Sequence, residues 1–368
     1  MTRRRRLAAV AAIVGLALAP VAIGSAQAAA PPPLPHTDPA APPTAGQAPR
    51  AASDAAQPAS APAAVPDLPI QASDIALSFP NQPGTGVVLT DAARQRRAIA
   101  AAGGAAAWAK QQAAADAMLK RYNAEKGQLR PVIDSAPSGH RPYGGDMWSG
   151  GTVTANKSSC TVSLPSRSSS GAQYEYTAGH CVREDGVHDD INATTGVFCV
   201  GFVNPCPSID IGNTGHGGTC VGSATTCGDR TFLRGSKIPV GNDGRAEVRT
   251  WDSRVTVAVP AVGNPVYGEA ASLSGGMSGR LIHSTVLVTG QTVQFAAPAP
   301  VIYVAVMETT EGCSVPGDSG GSIIAGDHTV IGTLSGHAPD PDGIHCWLYF
   351  GRAGDAFTQA GQVPAPQP

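Results

Sequence analysis

After Pro142 the chain turns into a succession of short apolar runs separated by Gly, Ser and Thr, and this texture limits what the rest of it can fold into. Val255, Val257 and Val259 alternate with smaller or polar residues, a period of two that turns one side of a strand toward a core. Ser284 to Phe295 carries two Val-rich arms around Thr289 and Gly290, a pair that predicts a hairpin turn. Val301 to Val306 and Thr329 to Leu334 supply further strands, and no helical periodicity interrupts them. The expectation is an all-β body over residues 143–368, a size that one domain reaches routinely. No fixed-period repeat is present.

What precedes this body reads differently. Arg3 to Arg6, an apolar stretch from Leu7 to Gly24 and the small residues Ala26-Gln27-Ala28 form a signal peptide over residues 1–28, which places the protein outside the cell. Pro20 breaks the apolar run and no second one follows, so a membrane anchor is not expected. Residues 29–67 are rich in Ala and Pro, poor in large apolar side chains, and read as a disordered spacer. Residues 90–126 use Ala, Gln, Arg and Lys, with Thr90 or Asp91 in capping position, a loosening at Gly103-Gly104 and an end near Gly127. Helix is expected there.

All eight cysteines lie between Cys160 and Cys346, an even number in an exported chain, and disulfides are their expected state. Cys199 and Cys206 are seven apart, as are Cys220 and Cys227, whereas structural zinc ligands usually sit about two to four residues apart. No metal or cofactor is expected. A formal net charge of -2 without a basic stripe argues against nucleic acid as partner.

Two segments carry the chemistry: Thr177-Ala178-Gly179-His180-Cys181 early in the β region, and Gly317-Asp318-Ser319-Gly320-Gly321 late in it. A serine hydroxyl is a weak nucleophile until a neighbouring base takes its proton, and neutral imidazole suits that task near pH 7. A carboxylate must orient the imidazole, and backbone N–H groups must meet the oxyanion that forms on the attacked carbonyl. Gly317 to Gly321 also fits the nucleophile elbow of α/β-hydrolases, with an acid and a His required after the serine. His328, His337 and His345 do follow it, so an esterase of that fold is one alternative and a catalytically silent binding protein is another.

From about Gly144 onward the sequence resembles the trypsin-like serine proteases, in particular the bacterial streptogrisin and α-lytic protease group. Cys160 stands upstream of Cys181, and Cys313-Ser314-Val315-Pro316-Gly317-Asp318-Ser319 has that group's Cys-to-Ser spacing and proline. The resemblance implies two six-stranded antiparallel β-barrels, preceded by a pro-segment over residues 29–142, and disulfides pairing Cys160 with Cys181 and Cys313 with Cys346. It implies His180 as base, Ser319 as nucleophile, Gly317 and Ser319 as oxyanion donors, and Ser335-Gly336 as the segment that pairs with the substrate backbone. Gly241-Asn242-Asp243-Gly244-Arg245-Ala246 resembles the segment holding the group's carboxylate, which assigns Asp243 to the triad. Gly244 is an extra residue against that pattern, and Asp210 and Asp252 remain competitors. The implied enzyme is a secreted, monomeric endopeptidase acting on protein or peptide substrates through an acyl-enzyme.

Three departures stand out. Residues 182–240 form a longer, Cys-rich insertion holding Cys199, Cys206, Cys220 and Cys227. Ser272-Leu273 occupies the place of a Cys-Arg pair, so a middle disulfide and the arginine facing Asp318 are missing, and Arg280 or a newly cut N-terminal amine is expected to replace that cation. Glu311, two residues before Cys313, is a candidate for the primary pocket and for selection of Lys or Arg.

Overall fold

Thr90 opens the first helix because its hydroxyl accepts the Ala93 N–H at 3.2 Å, satisfying an amide that a helix start leaves without a partner. The computed structural model describes residues 68–133, 136–137, 152–155, 158–161, 163–181, 197–199, 208–210, 215–216, 231–234, 246–250, 255–295, 301–341 and 343–366. Strands β1 (Ile75–Leu77) and β2 (Val87–Leu89) precede helices α1 (Asp91–Ala101) and α2 (Ala105–Glu125), and β3 (Val132–Ile133) follows them. Between the helices Gly103 and Gly104 take φ values of 89° and 101°, where a side chain is disfavoured.

The β body continues with β4 (Ala136–Pro137), β5 (Thr152–Ala155), β6 (Ser158–Thr161), β7 (Leu164–Ser168), β8 (Gln173–Thr177), β9 (Val197–Cys199), β10 (Ser208–Asp210) and β11 (Gly215–His216). After these come β12 (Thr231–Arg234), β13 (Glu247–Thr250), β14 (Val255–Ala258), β15 (Ala261–Val262), β16 (Ala270–Gly275), β17 (Arg280–Gln294) and β18 (Val301–Thr309). The chain ends with β19 (Ser322–Ala325), β20 (Val330–Pro339), β21 (Cys346–Arg352), helix α3 (Ala353–Ala360) and β22 (Gln362–Pro364).

Six of these strands close on themselves. β16 pairs with β17, β17 with β18, β18 with β21, β21 with β20, β20 with β19 and β19 with β16, all antiparallel. This is a six-stranded barrel of the expected kind. Among the described residues, β1, β2, β15 and β3 extend the barrel sheet at β20, and the other strands form the sheets β10-β9-β5-β6-β4 and β11-β12-β8-β7-β22 and the β13–β14 hairpin.

Side-chain alternation explains why the barrel strands read as continuous apolar runs. On β18, Ala305 and Met307 point into the barrel core, as do Leu348 and Phe350 on β21. Their neighbours Val304, Val306, Trp347 and Tyr349 point outward and are buried by Tyr122 and Ala115 of α2, with Leu129 beyond it. The Tyr122 and Trp347 rings lie 5.1 Å apart. α1 contributes a charged anchor: the buried Arg94 reaches Glu269 at 2.6 Å and Asp327 at 3.0 Å, and Arg97 reaches Asp327 at 2.6 Å.

The hairpin expected at Thr289-Gly290 does not form. β17 runs unbroken from Arg280 to Gln294 against β18, with register shifts between Val286 and Val288 and between Val288 and Gln291. Gly290 lies in the shifted stretch, where the Tyr303 side chain occupies the space that a Cβ would need. The glycine serves a close approach inside an irregular strand instead of a turn.

Candidate active site

The loop from Cys313 to Gly321 enters the barrel between β18 and β19. Its first residue is fixed by the Cys313–Cys346 disulfide, which ties it to the start of β21. Gly317 and Gly320 have φ values of 102° and 86°, conformations that side chains rarely adopt. A Cβ at Gly317 would strike Met277, and one at Gly320 would strike the Thr161 carbonyl and the Thr177 hydroxyl. The glycines are thus demanded by both backbone angle and space.

Asp318 is fully buried, yet Arg280 is not its partner. Its Oδ1 accepts the Met277 and Ser278 amides, each at 2.9 Å, and its Oδ2 accepts the Val315 amide at 3.0 Å. Arg280 instead donates to the carbonyls of Glu311 and Cys313, each at 3.0 Å. Three backbone dipoles help to stabilise the carboxylate, because charge-assisted bonds to amides offset its desolvation. The turn Gly276 to Gly279 between β16 and β17 supplies two of them.

Ser319 is buried, and its Oγ lies 3.1 Å from the Ser335 carbonyl on β20. The structure therefore brings together the expected nucleophile and the first residue of the expected substrate-pairing segment. Gly336 and His337, next along β20, pair antiparallel with Ile133 and Val132 of β3. His180 is also buried and stands in a single 3-10 turn, Gly179–Cys181, that continues from β8. Cys160 is buried and disulfide-bonded.

Thr161 on β6 joins these pieces. Its N–H donates to the Ser319 carbonyl at 2.7 Å, its hydroxyl donates to the Gly317 carbonyl at 2.8 Å, and its carbonyl accepts the Thr177 hydroxyl at 2.8 Å. Sequence reasoning missed it. The only available signal was its position directly after Cys160.

Asp243, Asp252, Cys206, Cys220 and Cys227 lie outside the described residues; for Asp210, Cys181 and Cys199 only the backbone is described. Glu311 is half-exposed and bonds the His283 backbone N–H at 2.8 Å and the His283 ring nitrogen at 3.0 Å. Those contacts hold it on the outer surface of β17. Ser319 is followed by strand β19, which is not the strand-to-helix setting of an α/β-hydrolase elbow. Among the described residues, no three His, Cys, Asp or Glu side chains are grouped to hold a metal ion, and no helix is long and apolar enough to cross a membrane.

No family model matches the chain. A relative, Serine protease 2 of Streptomyces fradiae, is 30% identical over 177 residues, which are 48% of this chain and 86% of the relative. The chain belongs to the trypsin-like serine proteases, the family of the chymotrypsin fold, and stands with its bacterial members. Among solved structures, Nocardiopsis protease is 20% identical with a TM-score of 0.42, covering 60% of this chain and 99% of its own. The Rv3671c protease of M. tuberculosis, in its active form, is 14% identical with a TM-score of 0.33, covering 59% of this chain and 81% of its own.

Proposed function

We propose that the chain is the precursor of a secreted serine endopeptidase that hydrolyses protein or peptide substrates, with Ser319 as nucleophile, His180 as general base and Asp243 as the orienting carboxylate. The observation that carries this reading is the nucleophile loop. Gly317 and Gly320 adopt left-handed φ, Asp318 is drawn inward by three amides, and the Ser319 hydroxyl is presented at the Ser335 carbonyl. His180 takes the Oγ proton as Oγ bonds to the substrate carbonyl carbon, whose π electrons move onto oxygen. The N–H groups of Gly317 and Ser319 receive that oxyanion. Collapse breaks the C–N bond, the leaving amine takes the proton from His180, and an acyl-enzyme remains. Water then repeats the sequence, and its OH ends on the released acid while Ser319 regains its proton.

The pairing of β3 with Gly336 and His337 supports the precursor part of the reading, since a strand of the 29–142 segment already lies along the β20 edge assigned to substrate. Residues 29–142 act as a pro-segment that is cut near Gly144, and the edge becomes free to substrate once the cut segment leaves the body. N-terminal sequencing of the secreted protein, combined with turnover of labelled casein by wild type and Ser319→Ala, tests this. The expected result is a start near Gly144, with Ser319→Ala folded and below a few per cent of wild-type turnover. A start near Ala29 overturns the pro-segment, and retained turnover in Ser319→Ala overturns the nucleophile. A folded, processed wild type with no turnover favours the silent binding protein.

A further inference from the structure

Three consecutive peptide units surround Asp318, and their hydrogen bonds can be followed one by one. In the unit joining Gly317 to Asp318, the Asp318 N–H donates to the Val315 carbonyl at 2.9 Å and the Gly317 carbonyl accepts the Thr161 hydroxyl at 2.8 Å. In the unit joining Asp318 to Ser319, the Asp318 carbonyl accepts the Gly321 N–H at 2.8 Å, and the Ser319 N–H is the group assigned to the oxyanion. In the unit joining Ser319 to Gly320, the Gly320 N–H donates to the Leu334 carbonyl at 2.8 Å and the Ser319 carbonyl accepts the Thr161 N–H at 2.7 Å. Thr161 therefore anchors the first and third units, on either side of the one that carries an oxyanion donor.

The same hydroxyl has a second task. Its oxygen accepts the Gly276 N–H at 3.1 Å, and Gly276 begins the turn whose next two amides hold the Asp318 carboxylate. The Thr161 carbonyl meanwhile accepts the hydroxyl of Thr177, the residue three before His180. One fully buried residue on β6 thus connects the nucleophile loop and the turn that holds Asp318 through its side chain, and the strand leading to the base through its carbonyl.

We propose that Thr161 is a positioning residue for the oxyanion site: its hydroxyl fixes the Gly317 peptide plane and the Gly276 turn together, so that the amides assigned to the oxyanion are held in place before substrate arrives. This rests on the proposed roles of Ser319, Gly317 and His180. Peptide units are planar, so a unit held at its carbonyl also fixes its N–H and limits rotation of the next unit. Deleting the hydroxyl leaves a buried carbonyl and a buried N–H without partners, and they recover bonds only by turning. A displacement of about 1 Å in such a site is enough for a roughly hundredfold loss of rate.

The test uses the processed, secreted protein and a fluorophosphonate probe, which reacts at the nucleophilic serine without requiring a known peptide preference. Thr161→Val removes the hydroxyl at nearly constant volume, Thr161→Ala removes it with less bulk, and Thr161→Ser keeps it. The labelling rate per folded molecule, and kcat on casein peptides, should fall about 10- to 100-fold in the Val or Ala variant with KM within about threefold, and the Ser variant should stay within about threefold of wild type. A purely structural role would lower Tm and the folded fraction but leave the rate per folded molecule unchanged. That result overturns the proposal, as does a Ser variant as slow as Val. Where Val does not fold, the Ala and Ser pair decides alone. Absence of both labelling and turnover in wild type would instead sink the catalytic reading on which the proposal rests.

Discussion

At the scale of single residues, a carboxylate without solvent must find charge or dipoles, and Asp318 accepts three amides at 2.9 to 3.0 Å from two separate segments. An amide has no side-chain signature, so these contacts were not legible in the sequence, where only the absence of an arginine before Ser274 could be noticed. The Gly317 to Gly321 motif was legible, because left-handed φ at Gly317 and Gly320 restricts those positions to one residue type. Thr161 was not, since its partner Gly317 is 156 positions away. The acid proposed for the triad can be tested by itself. If Asp243 orients His180, Asp243→Asn should lower kcat by about ten-thousandfold with Tm unchanged. Asp210→Asn and Asp252→Asn should remain near wild type. Collapse in one of those two, with Asp243→Asn active, moves the carboxylate to that position.

At the scale of elements, residues 90–126 were readable as helix from propensity and from the paired glycines, and α1 and α2 form there. What α1 and α2 cover was not readable. Arg94 looks like one of several surface arginines in the sequence, yet it is fully buried between Glu269 and Asp327. β3 has two residues, too few for any period to announce a strand. These contacts bear on maturation. A body that lost α1 and α2 would leave Glu269 and Asp327 without Arg94 and would expose Trp347 and Tyr349. An uncompensated buried charge costs about 3–5 kcal/mol, so a cut near Gly144 should not by itself release the helices. The cut protein should elute from a sizing column as one species and separate into two fragments only in denaturant. A body that elutes alone, with the Tm of the uncut chain, would refute this.

At the scale of the whole molecule, the closed barrel and the N-terminal helices are joined by apolar packing and by a buried ion cluster, and the cluster makes their union depend on pH. Its groups are Arg94 and Arg97 from α1, Glu269 before β16, and Asp327 between β19 and β20. Burial raises the Glu269 carboxyl from 4.5 to about 7, against the opposing attraction of Arg94. Asp327 moves the other way: Arg94 and Arg97 together overcome its desolvation and hold it below the usual carboxylate range. A raised carboxyl takes up a proton on folding, so the Glu269 contribution is complete below its unfolded value near 4.5 and fades as pH rises through about 7. The Asp327 contribution has the opposite sign, present above 3.8 and lost only at lower pH. Between pH 4.5 and 8 the Glu269 slope therefore stands alone within the cluster. The uncut chain should lose stability relative to Glu269→Gln across that window, by on the order of a few kcal/mol, because the variant has no carboxyl to discharge its proton. Urea midpoints of both proteins, measured at half-unit pH steps, give the difference directly. Parallel curves would mean that Glu269 is already ionised against Arg94 at pH 4.5, with the cluster acting as a permanent ion pair instead of a titrating one.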